Sequence, residues 1–245
     1  MPQHRIPLPC LYAILDAGFF LDPEATFAAA EELAAGGCTL IQYRNKSGNA
    51  RVMLEQAQEL KRRLDSHSHF SQNRGEVGHP TSEKIESQNP HPVAKSATRV
   101  GHPTVRLIMN DRADLCLAAE FDGVHVGQED LSPEAVRQII GPERWLGVST
   151  HNPEQIREAD LTSADYLAIG PVFPTSSKEK PDPVVGLEGV RRARQLTSKK
   201  LVAIGGITRA NAASVIEAGA DSVAVISDLL REPRKSAEEF FYILG

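Results

Sequence analysis

Short, β-rich apolar runs alternate with helical patterns about eight times along this chain, and that alternation leaves few folds open. The runs cover residues 11–15, 39–43, 106–109, 123–126, 145–148, 166–169, 201–204 and 222–225. Each is largely apolar, as expected of parallel strands covered on both faces. Helical patterns fall between them, among them residues 26–35, 50–64, 133–140 and 210–218. Gly36, Gly141 and Gly219 stand ready as C-terminal caps, and Ser132-Pro133 is a good start for a helix. Eight such units predict an α/β fold closed as a (β/α)8 TIM barrel. An open doubly wound sheet would normally place a glycine-rich phosphate turn after its first strand, where this chain has Asp16-Ala17-Gly18.

Length suits that reading, since 245 residues with 41% apolar content can fill one barrel and its core. One domain spanning residues 1–245 is expected. With 27 basic against 32 acidic residues, net -5, no basic field is present to hold nucleic acid. An anionic ligand must therefore be bound locally. Cys10, Cys38 and Cys116 are widely spaced in apolar sequence and read as reduced core thiols. No apolar run approaches the roughly 18 residues needed to cross a bilayer, and the first ten residues lack a signal-peptide core. A cytoplasmic protein with no membrane or nucleic-acid partner is expected; self-association as a homo-oligomer is left open.

Residues 65–104 interrupt the pattern. They are rich in Ser, His, Asn, Gln and Pro, and repeat VGHPT at 77–81 and 100–104. This composition reads as a disordered insertion and its five histidines as solvated loop residues. It should emerge where a helix meets the next strand, on the face away from the chemistry.

The chemistry-bearing residues sit where strands end. Gln42, Arg44 and Lys46 are spaced by two, so strand alternation sends them to one side, where an amide and two cations suit a diphosphate. Asn110 and Asp111 close the third strand, while Gln128, Glu129 and Asp130 follow the fourth. Magnesium takes one or two carboxylates and completes its octahedron with water and phosphate oxygens, so Asp111 and Asp130 are the candidate ligands of Mg2+. Asp114 reads as a first-turn helix residue, Glu129 as solvent-facing, and His125 as pointing into the barrel, either packed there or touching ligand. Ser149 follows strand five. Thr175, Ser177 and Lys178 follow strand six with hydroxyls and charge, although that stretch is also ordinary loop composition. Gly205-Gly206 and Ile226-Ser227 follow strands seven and eight, the loops between which barrels commonly hold a phosphate. Two anion sites suggest a reaction between two small phosphorylated molecules. No Ser-His-Asp order, Cys-His pair or HExxH helix supports hydrolytic or covalent chemistry.

Taken together, QYRNK, MNDRADL, DGVHVGQEDL, LGVSTH, AIGPVFPTSSK and AIGGITRANAASVIEAGADSVAVIS resemble the thiamine-phosphate synthase family of (β/α)8 barrels. The likeness covers the chain except residues 65–104. It implies condensation of hydroxymethylpyrimidine diphosphate with a thiazole phosphate, plain or carboxylated, to give thiamine phosphate and pyrophosphate. Gln42, Arg44, Lys46, Asn110, His125, Ser149 and Lys178 then match pyrimidine-diphosphate contacts, with Arg44, Lys46 and Lys178 as the catalytic cations. Thr175, Ser177, Gly206, Ile226 and Ser227 match thiazole-phosphate contacts, and Asp111 and Asp130 magnesium ligands. Departures are Leu15 ahead of Asp16, Glu120-Phe121 ahead of DGVH, and the insertion; none falls on a matched phosphate or metal position. Two alternatives are a thiazole tautomerase relative, which would have no need of the diphosphate and metal set, and a non-catalytic thiazole-phosphate-binding barrel.

Overall fold

A strand covered on both faces has no solvent side, and burial along the strands follows that rule. The computed structural model describes residues 6–70, 104–175 and 182–245. Its strands are β1 (Leu11–Asp16), β2 (Leu40–Arg44), β3 (Arg106–Asn110), β4 (Gly123–Val126), β5 (Trp145–Thr150), β6 (Tyr166–Ile169), β7 (Lys200–Ile204) and β8 (Ser222–Val225). They pair in chain order, all parallel, and β8 returns to β1, closing the barrel. The helices are α1 (Pro23–Ala35), α2 (Ala50–Phe70), α3 (Ala113–Ala118), α4 (Pro133–Ile140), α5 (Pro153–Asp160), α6 (Gly186–Leu196), α7 (Ala212–Glu217), α8 (Ser227–Leu230) and α9 (Pro233–Leu244).

Alternation along the strands divides the apolar residues into two cores. Leu11, Ala13 and Leu15 of β1 face the helices and join Leu33, Leu60, Val136 and Phe240, all fully buried. Each such large side chain contributes about 1.5–3 kcal/mol relative to exposure. Tyr12 and Ile14 face inward and pack with Ile108, Trp145, Tyr166, Val202 and Ala224 inside the barrel. Helix starts obey local chemistry: Asp22, Ser132 and Asn152 each accept the N–H three residues on, with proline in the first turn of α1, α4 and α5.

Three pairs of strands are pinned at their N-terminal ends by the same device. Asp122, Asp165 and Asp221, each just ahead of an even-numbered strand, accept the N–H of Leu107, Leu146 and Leu201 on the preceding strand at 2.8, 2.7 and 2.8 Å. Arg137 and Arg194 brace the last two at 2.7 and 2.8 Å. The pins lie on the face opposite the chemistry, where stability rather than catalysis is expected.

All eight expected strands are present, and β1, β2, β3 and β5 run one or two residues further than their apolar runs. Pairing continues through Asp16 with Arg44 and Asn110 with His125, so the backbone stays in the ladder where the side chains turn polar. Helix α2 also outruns expectation: residues 65–70, read as the start of the insertion, are helical, and Lys61 pairs with Asp65 one turn along at 3.1 Å. The remainder of the insertion, residues 71–103, lies outside the described residues. Gly141 and Gly219 take the positive φ of a helix end, whereas after α1 that role passes from Gly36 to Gly37, at φ 97°. Cys38 and Cys116 are buried as free thiols, and Cys10 is half-buried. Among the described residues, no helix is long and apolar enough to cross a membrane.

Candidate active site

The C-terminal ends of the strands surround a cavity of about 190 Å³. Gln42, Arg44, Asn110, His125 and Ser149 line it, together with Thr175, Gly206, Ile226 and Ser227. Nine of the expected site residues are thus brought together from seven strand ends. A wider cleft of about 680 Å³ adjoins it, sharing Arg44, Ile226 and Ser227 and adding Asp16 and Lys46. Ser177 and Lys178 lie outside the described residues.

At the mouth the cations are held by carboxylates. Arg44 pairs with Asp16, the residue beside it in strand register. Lys46, two residues past Arg44 and beyond the end of β2, meets Asp111 at 2.5 Å. Asp111 adopts a left-handed backbone at φ 61°, a conformation that aspartate tolerates better than most residues, while its N–H donates to the His125 carbonyl at 2.8 Å. Asp130 accepts the Gly127 N–H at 2.7 Å. Its carboxyl is pushed up, first by loss of solvent and then by the charge of Asp111 and a hydrogen bond between the two acids; Gly127 and Lys46 pull the other way. The two acids are therefore neighbours with their charge in one place. Two adjacent carboxylates on separate loops are the donor set magnesium asks of a protein, with water and phosphate for the rest. No cluster of three or more His, Cys, Asp or Glu is present among the described residues. Asp114 opens α3 and pairs with Arg112, and Glu129 is exposed, both as expected.

Deeper in the cavity, Gln42 Nε2 donates to the Tyr12 hydroxyl at 2.8 Å, and the Tyr12 and Tyr166 hydroxyls are 3.0 Å apart. His125 is both packed and cavity-facing: Nδ1 lies 3.1 Å from the Tyr166 hydroxyl and Nε2 2.8 Å from Ser149 Oγ. Burial pushes its imidazole down to about 4, outweighing the negative charge of Asp111, so it is neutral at physiological pH. Burial also pushes both phenols up, keeping them protonated.

The opposite wall is backbone. Val172 N–H donates to Ile204 O at 2.9 Å and Phe173 N–H to Gly205 O at 3.0 Å, laying the loop after β6 on the loop after β7. A Cβ on Gly206, at φ 64°, would lie 2.6 Å from Pro174 O, so only glycine permits that approach. Arg209 lies close by, but it is committed to Asp228 and Glu239. His151 Nδ1 donates to Gly170 O at 2.6 Å, and its Nε2 stands 3.5 Å from Asp182.

Sequence reading missed Asp16, Tyr12, Tyr166 and His151. The two tyrosines stand at inward positions of their strands, in step with Gln42 and His125, and period two was the signal available for them.

A closed parallel barrel with its ionisable residues gathered at the strand C-termini defines a (β/α)8 barrel enzyme. A family model described as thiamine monophosphate synthase matches residues 84–229. The thiamine-phosphate synthase of Koribacter versatilis is 53% identical over 243 residues, covering 98% of this chain and 97% of that protein. That of Chloroflexus aurantiacus is 38% identical, covering 89% and 83%. Among solved structures, the thiamine phosphate pyrophosphorylase of Pyrococcus furiosus superposes with a TM-score of 0.72 at 28% identity, covering 96% of this chain and 95% of that one. The chain belongs to the thiamine-phosphate synthase family.

Proposed function

We propose that this protein joins hydroxymethylpyrimidine diphosphate to a thiazole phosphate, forming thiamine phosphate and releasing pyrophosphate. The observation that carries the reading is one cavity lined by residues of both sets, with the Arg44–Asp16 and Lys46–Asp111 pairs at the adjoining cleft. In this reading Gln42, Asn110, His125 and Ser149 seat the pyrimidine. Arg44, Lys46 and Lys178 take its diphosphate, and Thr175, Ser177, Gly206, Ile226 and Ser227 hold the thiazole phosphate.

Asp111 and Asp130 would hold magnesium, which when bound would neutralise charge on the diphosphate. The carbon–oxygen bond to the diphosphate breaks and its electron pair leaves with pyrophosphate. The lone pair of the thiazole nitrogen then forms the new carbon–nitrogen bond. No proton leaves that nitrogen, so no protein base is required. Arg44 and Lys46 stabilise the charge gathering on the leaving group from positions already fixed by Asp16 and Asp111. A cytoplasmic setting suits three free thiols.

The test is an omission assay on the purified protein. Pyrophosphate should appear only when the pyrimidine diphosphate, the thiazole phosphate and magnesium are all present. No release from the complete mixture would refute synthase activity.

A further inference from the structure

Gln42 of β2, Tyr12 of β1, Tyr166 of β6, His125 of β4 and Ser149 of β5 form one continuous hydrogen-bonded chain inside the barrel. Barrel interiors are normally filled by branched apolar residues. Tyr12, Tyr166, Gln42 and His125 are all buried, an arrangement tolerated only when each polar group is paired. Gly147 makes room for the central link, since a Cβ there would lie 2.2 Å from Tyr166 Cζ and 2.3 Å from His125 Nδ1.

The chain has a direction. An amide nitrogen only donates, so Tyr12 accepts from Gln42 and sends its own proton to Tyr166. Tyr166 must then donate to His125 Nδ1, which places the one proton of a neutral imidazole on Nε2, facing Ser149 Oγ. Ser149 accepts that proton, leaving its own hydroxyl proton for an acceptor in the cavity it lines. Reversing the order would set the Tyr12 O–H against the Gln42 N–H, two donors 2.8 Å apart.

We propose that Tyr12 and Tyr166 are positioning residues that lock His125 as the Nε2–H tautomer and so present Ser149 as a hydrogen-bond donor to a ring nitrogen of the pyrimidine substrate. This rests on the reading that the cavity takes the pyrimidine diphosphate. Two tyrosines thereby set the polarity of the hydroxyl that meets the pyrimidine ring.

The test pairs a spectroscopic readout with kinetics. Nitrogen-15 NMR of the full-length protein, with the His125 signals assigned by their loss in His125→Gln, should show a protonated Nε2 and a bare Nδ1. Tyr166→Phe keeps the ring and removes the donor, so a mixture of tautomers should replace the single one. KM for the pyrimidine diphosphate should rise about tenfold in that variant, the effect of one hydrogen bond. KM for the thiazole phosphate should stay within about twofold, because that site is lined by other residues. Tyr12→Phe gives the same tautomer readout one link further away if Tyr166→Phe does not fold. A proton on Nδ1 in a protein that turns over the pyrimidine diphosphate overturns this inference alone, as does a Tyr166→Phe variant with unchanged tautomer and KM. An Nε2–H tautomer in a protein with no turnover overturns the substrate reading and supports the lock.

Discussion

Lys46 Nζ lies 2.5 Å from Asp111 Oδ2, joining the loop after β2 to the end of β3 across 65 positions of sequence. The lysine is more than half exposed and the aspartate mostly enclosed, so the carboxylate fixes where the ammonium stands. Asp111 also neighbours Asp130. One acid thus holds a cation on one side and neighbours a second acid on the other, the arrangement that the proposed metal–diphosphate site would require.

Asp111→Ala should remove the dependence of rate on magnesium together with most of the rate. A loss of about 10²–10³ in kcat is expected, the size seen when one charge-stabilising partner is deleted. Magnesium titration of initial rates checks it, with the wild-type protein saturating and the variant flat.

Arg44→Lys should restore little of what Arg44→Ala loses. The guanidinium is set by Asp16 in the neighbouring strand and can grip two oxygens at once, whereas an ammonium offers one point charge. Steady-state kinetics on the two variants, each expected at least about tenfold below wild type in kcat/KM, provides the comparison.

Asp221→Asn should destabilise the fold by about 1–3 kcal/mol at pH 7, since the carboxylate accepts from Leu201, Arg194 and Lys200. Burial pulls its carboxyl up, but hydrogen bonds from Lys200 and Leu201 and the charges of Lys200 and Arg194 outweigh it and hold it low. A carboxylate held low contributes stability that is complete above the ordinary value of about 3.9 and is lost as pH falls through the lower folded value. Urea melts from pH 7 down to 3 should therefore show the gap between wild type and variant shrinking in acid. A gap that stays constant contradicts the ionic origin.

Cys38 and Cys116 should resist alkylation in the native protein at pH 8. Burial pushes both thiols up to about 12, leaving almost no thiolate to react. Mass spectrometry after iodoacetamide treatment should find them unmodified without denaturant and labelled with it.

The end of α2 at Phe70 and the start of β3 at Arg106, which residues 71–103 connect in sequence, lie at the barrel end opposite the strand ends that form the cavity. Replacing residues 71–103 with a short glycine-serine linker should leave kcat/KM within about twofold of wild type. A large loss would place part of the segment at the mouth.

Much of this was legible in the sequence because the fold is repetitive. Parallel strands buried on both faces read as bare apolar runs, and the residue after each run is at the mouth by topology alone, which is how Asn110, Asp111 and Ser149 could be picked out. Gln42 and Arg44 followed from period two. Tyr12 and Tyr166 were hidden because tyrosine in an apolar run reads as core, and only closure of the ring brings β1 and β6 face to face across the interior. Asp16 looked like a turn residue because its partner is on the next strand, and register, unlike periodicity, cannot be read from one segment. The end of α2 was misplaced because His, Ser and Asp in residues 65–70 resemble the insertion, while the helix needs only continued backbone pairing to extend through them.

The most direct measurement is a crystal structure of the protein grown with pyrophosphate and manganese, recorded at a wavelength where manganese scatters anomalously. A single anomalous peak within bonding distance of both Asp111 and Asp130, with pyrophosphate oxygens completing the shell beside Arg44 and Lys46, is the predicted result. A peak elsewhere, or Asp111 and Asp130 too far apart to share one ion, would contradict it.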